Sequence, residues 1–192
     1  MIRHGPTEWT KDKRLQGRTD IPLSNAGRDL VSQWHIPPAL DQYRWVSSPL
    51  TRARETTELL DAKDFEIEPR LIEMNYGNWE GQRLKELRET LGEEMAENEA
   101  RGLDFLPEGG ESPREVQNRL TPWLAELASK ESPVVAVAHH GIIRALFSLA
   151  TGWDMVGAPP EKFRWGAMNF FSIAKDGRVS VDRINVSISA VS

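Results

Sequence analysis

His4 stands between Arg3 and Gly5, and His139 follows the apolar run Val134 to Ala138. If a strand ends at each, both imidazoles sit at carboxyl strand ends, where open α/β sheets gather their ligands. A third such position is Ser47-Ser48, with Arg52 one turn into the helix expected to follow. Three strand ends would then bring two imidazoles and two guanidiniums to one pocket. A guanidinium offers a planar fork of donors matched to phosphate or carboxylate oxygens. Helices starting after Ser48 and His139 would point free N–H groups at the same anion. A histidine with one nitrogen fixed by a backbone carbonyl can attack phosphorus with the other, giving a phosphohistidine that water hydrolyses. Neither step needs a metal if the arginines neutralise the phosphoryl oxygens.

The elements that would position these groups are readable from local pattern. Val134 to Ala138 is apolar throughout, the pattern of a parallel strand covered on both faces. Arg44 to Ser48 reads as a short strand, with Ser48 as N-cap and Pro49 at the first turn of a helix reaching about Leu60. Phe65 to Glu68 alternates apolar and acidic residues, as a strand near a sheet edge does. Ser112-Pro113-Arg114-Glu115 is a capping box, and Val116, Leu120, Trp123, Leu124 and Leu127 follow at helical spacing. A further helix runs from about Ile142 to Gly152. Between Asn169 and Val186, two β-rich runs flank Lys175-Asp176-Gly177, a hairpin signal that finishes the sheet with antiparallel strands. Alternating elements around a buried strand predict an α/β fold: a three-layer α/β/α sandwich with a mostly parallel central sheet and one antiparallel edge.

Composition narrows the partners. The chain has 192 residues, about one domain's length. Its 24 basic and 29 acidic residues give a net charge of −5, which disfavours a nucleic-acid binder working through a general basic surface. It contains no cysteine, which removes disulfide scaffolds, thiolate metal sites and cysteine nucleophiles together. No run approaches the roughly 18 apolar residues of a membrane span, and no basic start with an apolar segment marks a signal peptide. A cytoplasmic location with no membrane partner is the expectation. No two histidines beyond the adjacent His139-His140 have metal-ligand spacing, so no metal site is expected.

In order and spacing the motifs resemble those of the histidine phosphatase superfamily, also called phosphoglycerate mutase-like, over nearly the whole chain. Its Arg-His-Gly signature matches Arg3-His4-Gly5, and its Gly-x-x-Asp-x-Pro-Leu segment matches Gly17 to Leu23. Its Ser-Ser-Pro-Leu-x-Arg-Ala run matches Ser47 to Ala53, and its Leu-x-Glu and Trp-Glu-Gly segments fall on Leu71, Glu73, Tyr76, Gly77 and Trp79-Glu80-Gly81. Gly110-Glu111-Ser112 and Ala138-His139-His140-Gly141 complete the series.

The resemblance implies a single domain over residues 1–192 with a cap insert at about 82–112. It implies His4 as nucleophile, Arg3, Arg52 and His139 as the phosphate clamp, and Glu73 as proton donor to the leaving oxygen. Thr10, Gln16, Gly17 and Tyr76 are its further substrate contacts, and Trp9 and Trp79 are placed near the pocket. A proton donor has to be neutral when the bond breaks, so a partly buried Glu73 would suit the role. Taken alone, His139 reads as a core histidine and Glu73 as a surface acid; the motif context reverses both. His140 stands where glycine is common and reads as a rim residue, and His35 as surface. Thr10 replaces the usual asparagine after Trp9. The family's first strand is longer than Met1 and Ile2 allow, which makes residues before Met1 an expectation.

The segment between Gln82 and Ser112 holds four basic and nine acidic residues, so the chain's whole excess charge lies there. An acidic cap does not favour a highly anionic substrate, and the length and the Trp79-Glu80-Gly81 form look like the phosphatase branch. The reading is a cofactor-free, metal-independent phosphomonoesterase acting on a small phosphorylated metabolite. A phosphoglycerate mutase-type transfer and an inactive phosphate-binding module are the alternatives. The resemblance also allows a homodimer.

Overall fold

The computed structural model describes residues 1–62 and 64–188. Six strands form one sheet: β1 (Ile2–Arg3), β2 (Arg44–Ser47), β3 (Glu66–Ile67), β4 (Val134–Ala138), β5 (Ala167–Ile173) and β6 (Val179–Ser187), in the order β3-β2-β4-β1-β5-β6. The helices are α1 (Glu8–Lys11), α2 (Asn25–Val31), α3 (Thr51–Leu59), α4 (Leu84–Leu91), α5 (Glu93–Glu99), α6 (Pro113–Lys130) and α7 (His140–Thr151).

The all-apolar run of β4 is explained by its place. It pairs in parallel with β2 on one side, Trp45 opposite Val135, and with β1 on the other, Arg3 opposite Ala138. Successive side chains leave a strand on opposite faces. Ala136 and Ala138, with Val46, therefore meet Val116, Leu120, Trp123 and Leu124 of α6 and Ile142, Ala145 and Leu146 of α7. Val135 and Val137, with Ile2 and Trp45, meet Val31 of α2, Ala53 of α3 and Trp34 on the other face. These are the three layers expected. The capping box of α6 forms as read: Ser112 Oγ accepts the Glu115 N–H at 3.2 Å while Glu115 Oε2 accepts the Ser112 N–H at 2.7 Å.

β3 is a two-residue parallel edge strand with both residues exposed. At the other edge β5 and β6 pair antiparallel, and the turn between them places Gly177 at φ +82°, a conformation that suits glycine. The antiparallel edge is thus two strands wide, since β5 also runs antiparallel to β1.

One local expectation is corrected. Ser48-Pro49 does not start the helix: α3 begins at Thr51, its N-cap position is Leu50 with no side-chain cap, and Arg52 is its second residue. Asp20, distant in sequence, does the capping instead, its carboxylate accepting from the Thr51 N–H and hydroxyl, each at 2.7 Å. The Ser48 hydroxyl serves elsewhere.

Helices α4 and α5 share a small core of their own, Leu87 and Met95 against Trp79, with Leu15, Tyr76 and Phe105 beside it. Their charges face solvent and are partly paired, Arg88 with Glu99 at 2.7 Å and Arg83 with Glu86 at 3.1 Å. Among the described residues, no helix is long and apolar enough to cross a membrane.

Candidate active site

His4 follows directly on β1, its N–H continuing the ladder to the Ala138 carbonyl at 3.0 Å. The side chain is 2% exposed, and Nδ1 donates to the Gly5 carbonyl at 2.7 Å. That bond assigns the ring proton to Nδ1 and leaves the Nε2 lone pair free. Burial, then the charges of Arg52 and Arg3, hold the imidazole well below its ordinary pKa, so it is neutral and nucleophilic. Gly5 lets this segment lie against α2: a Cβ there would come within 2.4 Å of Val31 Cγ2.

His139 holds the N-cap position of α7 and is fully buried, its ring centroid 5.0 Å from that of His4. Its Nε2 meets Ser48 Oγ at 2.7 Å. That oxygen also accepts the Leu50 N–H at 3.3 Å and, with a proton and a second lone pair, pairs with Nε2 in either ring tautomer. Among the described residues, the Nδ1 of His139 is buried with no hydrogen-bond partner. A buried ring nitrogen so placed is costly unless a ligand supplies the partner.

The guanidiniums show the same incompleteness. Arg52 is fully buried and is held by the Thr19 carbonyl at 3.0 Å and the Gly17 carbonyl at 2.7 Å, yet among the described residues its Nε has no partner. Arg3 also has an unpartnered buried Nε, and its guanidinium lies 3.6 Å from the ring centroid of Trp165. Burial lowers the Arg3 pKa to about 10, which leaves it cationic at neutral pH. The same tryptophan stands edge-on to His4 at 6.0 Å. Two cations and two imidazoles therefore converge with donors to spare.

Glu73 is 7% exposed. Oε1 accepts the Met74 N–H at 2.8 Å and Oε2 the Gly141 N–H at 3.2 Å. Burial raises its pKa against the opposing effect of these bonds and of Arg52 and Arg3. Gly141 permits the approach, since a Cβ there would sit 2.4 Å from Glu73 Oε1. At each of the two helix N-termini expected to face an anion, one N–H is already engaged: that of Gly141 in α7 with Glu73 and that of Thr51 in α3 with Asp20.

Glu80 organises the loop behind Arg52. Its carboxylate accepts the N–H groups of Arg18 at 2.8 Å, Thr19 at 2.7 Å and Tyr76 at 3.2 Å, and the Thr19 hydroxyl as well. Gly17 sits at φ +53°, and a Cβ on it would meet Glu80 Oε1 at 1.8 Å. Gly17→Ala should therefore displace Glu80 and the two carbonyls that hold Arg52. The expected result is a loss of about 1–3 kcal/mol of stability and a higher KM for phosphate esters. A variant with the parent's Tm and KM would contradict this anchoring.

The remaining expected contacts fall in different places. Thr10 forms a capping box with Thr7 and accepts from Gln16 Nε2 at 3.0 Å, while the Thr7 hydroxyl donates to Gln16 Oε1 at 3.0 Å. The Thr10 and Gln16 side chains thus spend hydrogen bonds on each other. Tyr76 lies by Glu73, and burial pushes its phenol up to about 12, so it stays protonated. Gly81 packs against Trp9, a Cβ there falling 3.2 Å from that ring, and Trp79 stacks with Phe105 at 5.6 Å in the small core of α4 and α5. His140 opens α7, its ring 6.2 Å from Phe163, and burial lowers its pKa to about 3. His35 is exposed, as expected. Trp165 and Arg144, which also reaches this corner, carry no motif and were beyond sequence reasoning.

The sequence profile described as the histidine phosphatase superfamily (branch 1) matches residues 1–186. A glucosyl-3-phosphoglycerate phosphatase of Mycolicibacterium vanbaalenii is 33% identical over 177 residues, which cover 82% of this chain and 77% of that one. Phosphoserine phosphatase 1 of Hydrogenobacter thermophilus is 33% identical over 165 residues, 81% of this chain and 76% of that one. The solved structure of a mycobacterial glucosyl-3-phosphoglycerate phosphatase with inorganic phosphate superposes with a TM-score of 0.79 at 27% identity, covering 100% of this chain and 98% of that one.

Proposed function

The chain belongs to branch 1 of the histidine phosphatase superfamily, and on that footing we propose that it is a phosphomonoesterase that hydrolyses a small phosphorylated metabolite through phospho-His4. The observation that carries the proposal is His4 itself, with Nδ1 tied to Gly5 and Nε2 free beside a second imidazole whose Nδ1 lacks a partner.

The phosphoryl group would sit among Arg3, Arg52 and His139: the unpartnered guanidinium donors match its oxygens, and His139 brings an unpartnered Nδ1. The His4 Nε2 lone pair attacks phosphorus, forming the N–P bond as the ester P–O bond breaks. Glu73, its pKa raised by burial, gives its proton to the departing oxygen, which leaves as the alcohol. Water then attacks phosphorus and the N–P bond breaks, while the Glu73 carboxylate takes the water's proton. Inorganic phosphate leaves, and both residues return to their starting states. The charge that builds on the phosphoryl oxygens is met by the guanidiniums, so the steps draw on no metal.

Free phosphate released from p-nitrophenyl phosphate, glycerol 3-phosphate, O-phosphoserine and 3-phosphoglycerate in EDTA tests this reading. Release that survives the chelator is expected. Phosphoryl transfer between phosphoglycerate hydroxyls with little free phosphate would establish a mutase instead. Phosphate binding without turnover would establish a binding module.

A further inference from the structure

The two guanidiniums of the site are held in different ways. Arg52 is fixed by the carbonyls of Thr19 and Gly17. Among the described residues no hydrogen bond or ion pair reaches the Arg3 guanidinium, which lies instead over the face of Trp165, 3.6 Å from the ring centroid. Such a contact restrains the group and leaves its donors free. The same indole stands edge-on to His4, at 6.0 Å and 77°. One side chain thus meets both the nucleophile and the cation beside it.

Trp165 lies in the connection from α7 to β5, and that connection is tied down from β6. Asn185 of β6 has φ +59°, in the left-handed region that asparagine tolerates. Its Oδ1 accepts the Arg164 N–H at 2.8 Å and its Nδ2 donates to the Lys162 carbonyl at 3.1 Å, so one amide spans the residues just before Trp165. The Asn185 N–H in turn donates to Oδ1 of Asn169, a buried residue of β5, at 3.1 Å. Met168 pairs with Val186 and Phe170 with Arg183, so β6 has one residue more than β5 at this point. A bulge of this kind re-aims a side chain, and here the side chain is the one that holds the connection.

An arginine side chain loses rotamer freedom when it closes on an anion, and one restrained beforehand loses less. We propose that Trp165 is a positioning residue that holds the Arg3 guanidinium ready for the phosphoryl group, and that Asn185, at the bulge in β6, holds the connection that carries Trp165. Trp165 acts through Arg3: its face is given to the guanidinium and its edge to His4. The carbonyls of Thr19 and Gly17 do for Arg52 what the indole does for Arg3. The inference deepens the phosphomonoesterase reading and rests on it for the identity of the anion.

Calorimetric binding of inorganic phosphate reads the effect without turnover. Trp165→Leu should weaken it by about tenfold, and Trp165→Phe, which keeps a ring face, should recover part of the loss. In an Arg3→Met background Trp165→Leu should cost less than about twofold, because the group it acts through is gone. Asn185→Gly keeps the backbone conformation and deletes both bonds to the connection. It should weaken phosphate binding by about threefold, again only where Arg3 is present, and it carries the test if Trp165→Leu does not fold. Unchanged binding in Trp165→Leu, or the same loss with and without Arg3, overturns the proposal. If Arg3→Met binds phosphate too weakly to titrate, the phenylalanine variant decides: partial recovery upholds the proposal and none overturns it. Phosphate bound by the parent with no ester turned over removes the phosphomonoesterase reading and leaves this inference to the binding results. A parent that binds no phosphate overturns it.

Discussion

His4→Ala will lower phosphate release from any ester by on the order of 10⁴-fold or more. The substitution removes the atom that forms the bond to phosphorus, and the neighbouring imidazole is already engaged, His139 spending Nε2 on Ser48. Arg3, Arg52 and His139 remain, so phosphate should still bind while chemistry stops. Because nucleophile and clamp act as one unit, adding His139→Ala should cost far less than it does alone. The Gly5 carbonyl loses its donor, a loss of about 1–3 kcal/mol, which a thermal melt will separate from the catalytic effect. Turnover persisting in His4→Ala would mean that another group is the nucleophile.

Glu73→Gln should cost about 10²- to 10⁴-fold on alkyl esters, the usual share of a general acid. It should cost much less on p-nitrophenyl phosphate, whose leaving group departs without a proton. The sign of the pH dependence follows from the direction of the shift. Glu73 acts as the protonated acid and its pKa is raised, so activity persists above the ordinary carboxyl range and falls as pH rises through the raised value. In the glutamine variant that fall should vanish. The amide has one oxygen for two N–H donors, Met74 and Gly141, so some loss of stability accompanies it. Equal losses on both classes of ester, with the basic limb unchanged, would remove Glu73 from proton transfer.

What could be read from the sequence was what is local or fixed by a run of residues. The central strand β4, the capping box at Ser112 and the Asp176-Gly177 hairpin each carry their reason within a few residues, and each forms as expected. His4, Arg52 and His139 were legible because strand ends position them. The start of α3 was not, because its cap is Asp20, far away in sequence, and because Ser48, a good local cap, is turned to His139 instead. Trp165 over Arg3 and Arg144 over Trp153 follow from tertiary packing, which no spacing reveals. Glu73 was assigned by motif, and its burial and its bond to the first turn of α7 supply the physical reason a motif lacks.

Rapid mixing with a labelled ester, an alkaline quench and peptide mapping test the central claim most directly, because a phosphohistidine survives alkali and is lost in acid. The account predicts a phosphoenzyme formed within one turnover, acid-labile, on the peptide that contains His4, and absent from His4→Ala. Label on a serine or threonine, or steady turnover with no phosphoenzyme at any quench time, would contradict it.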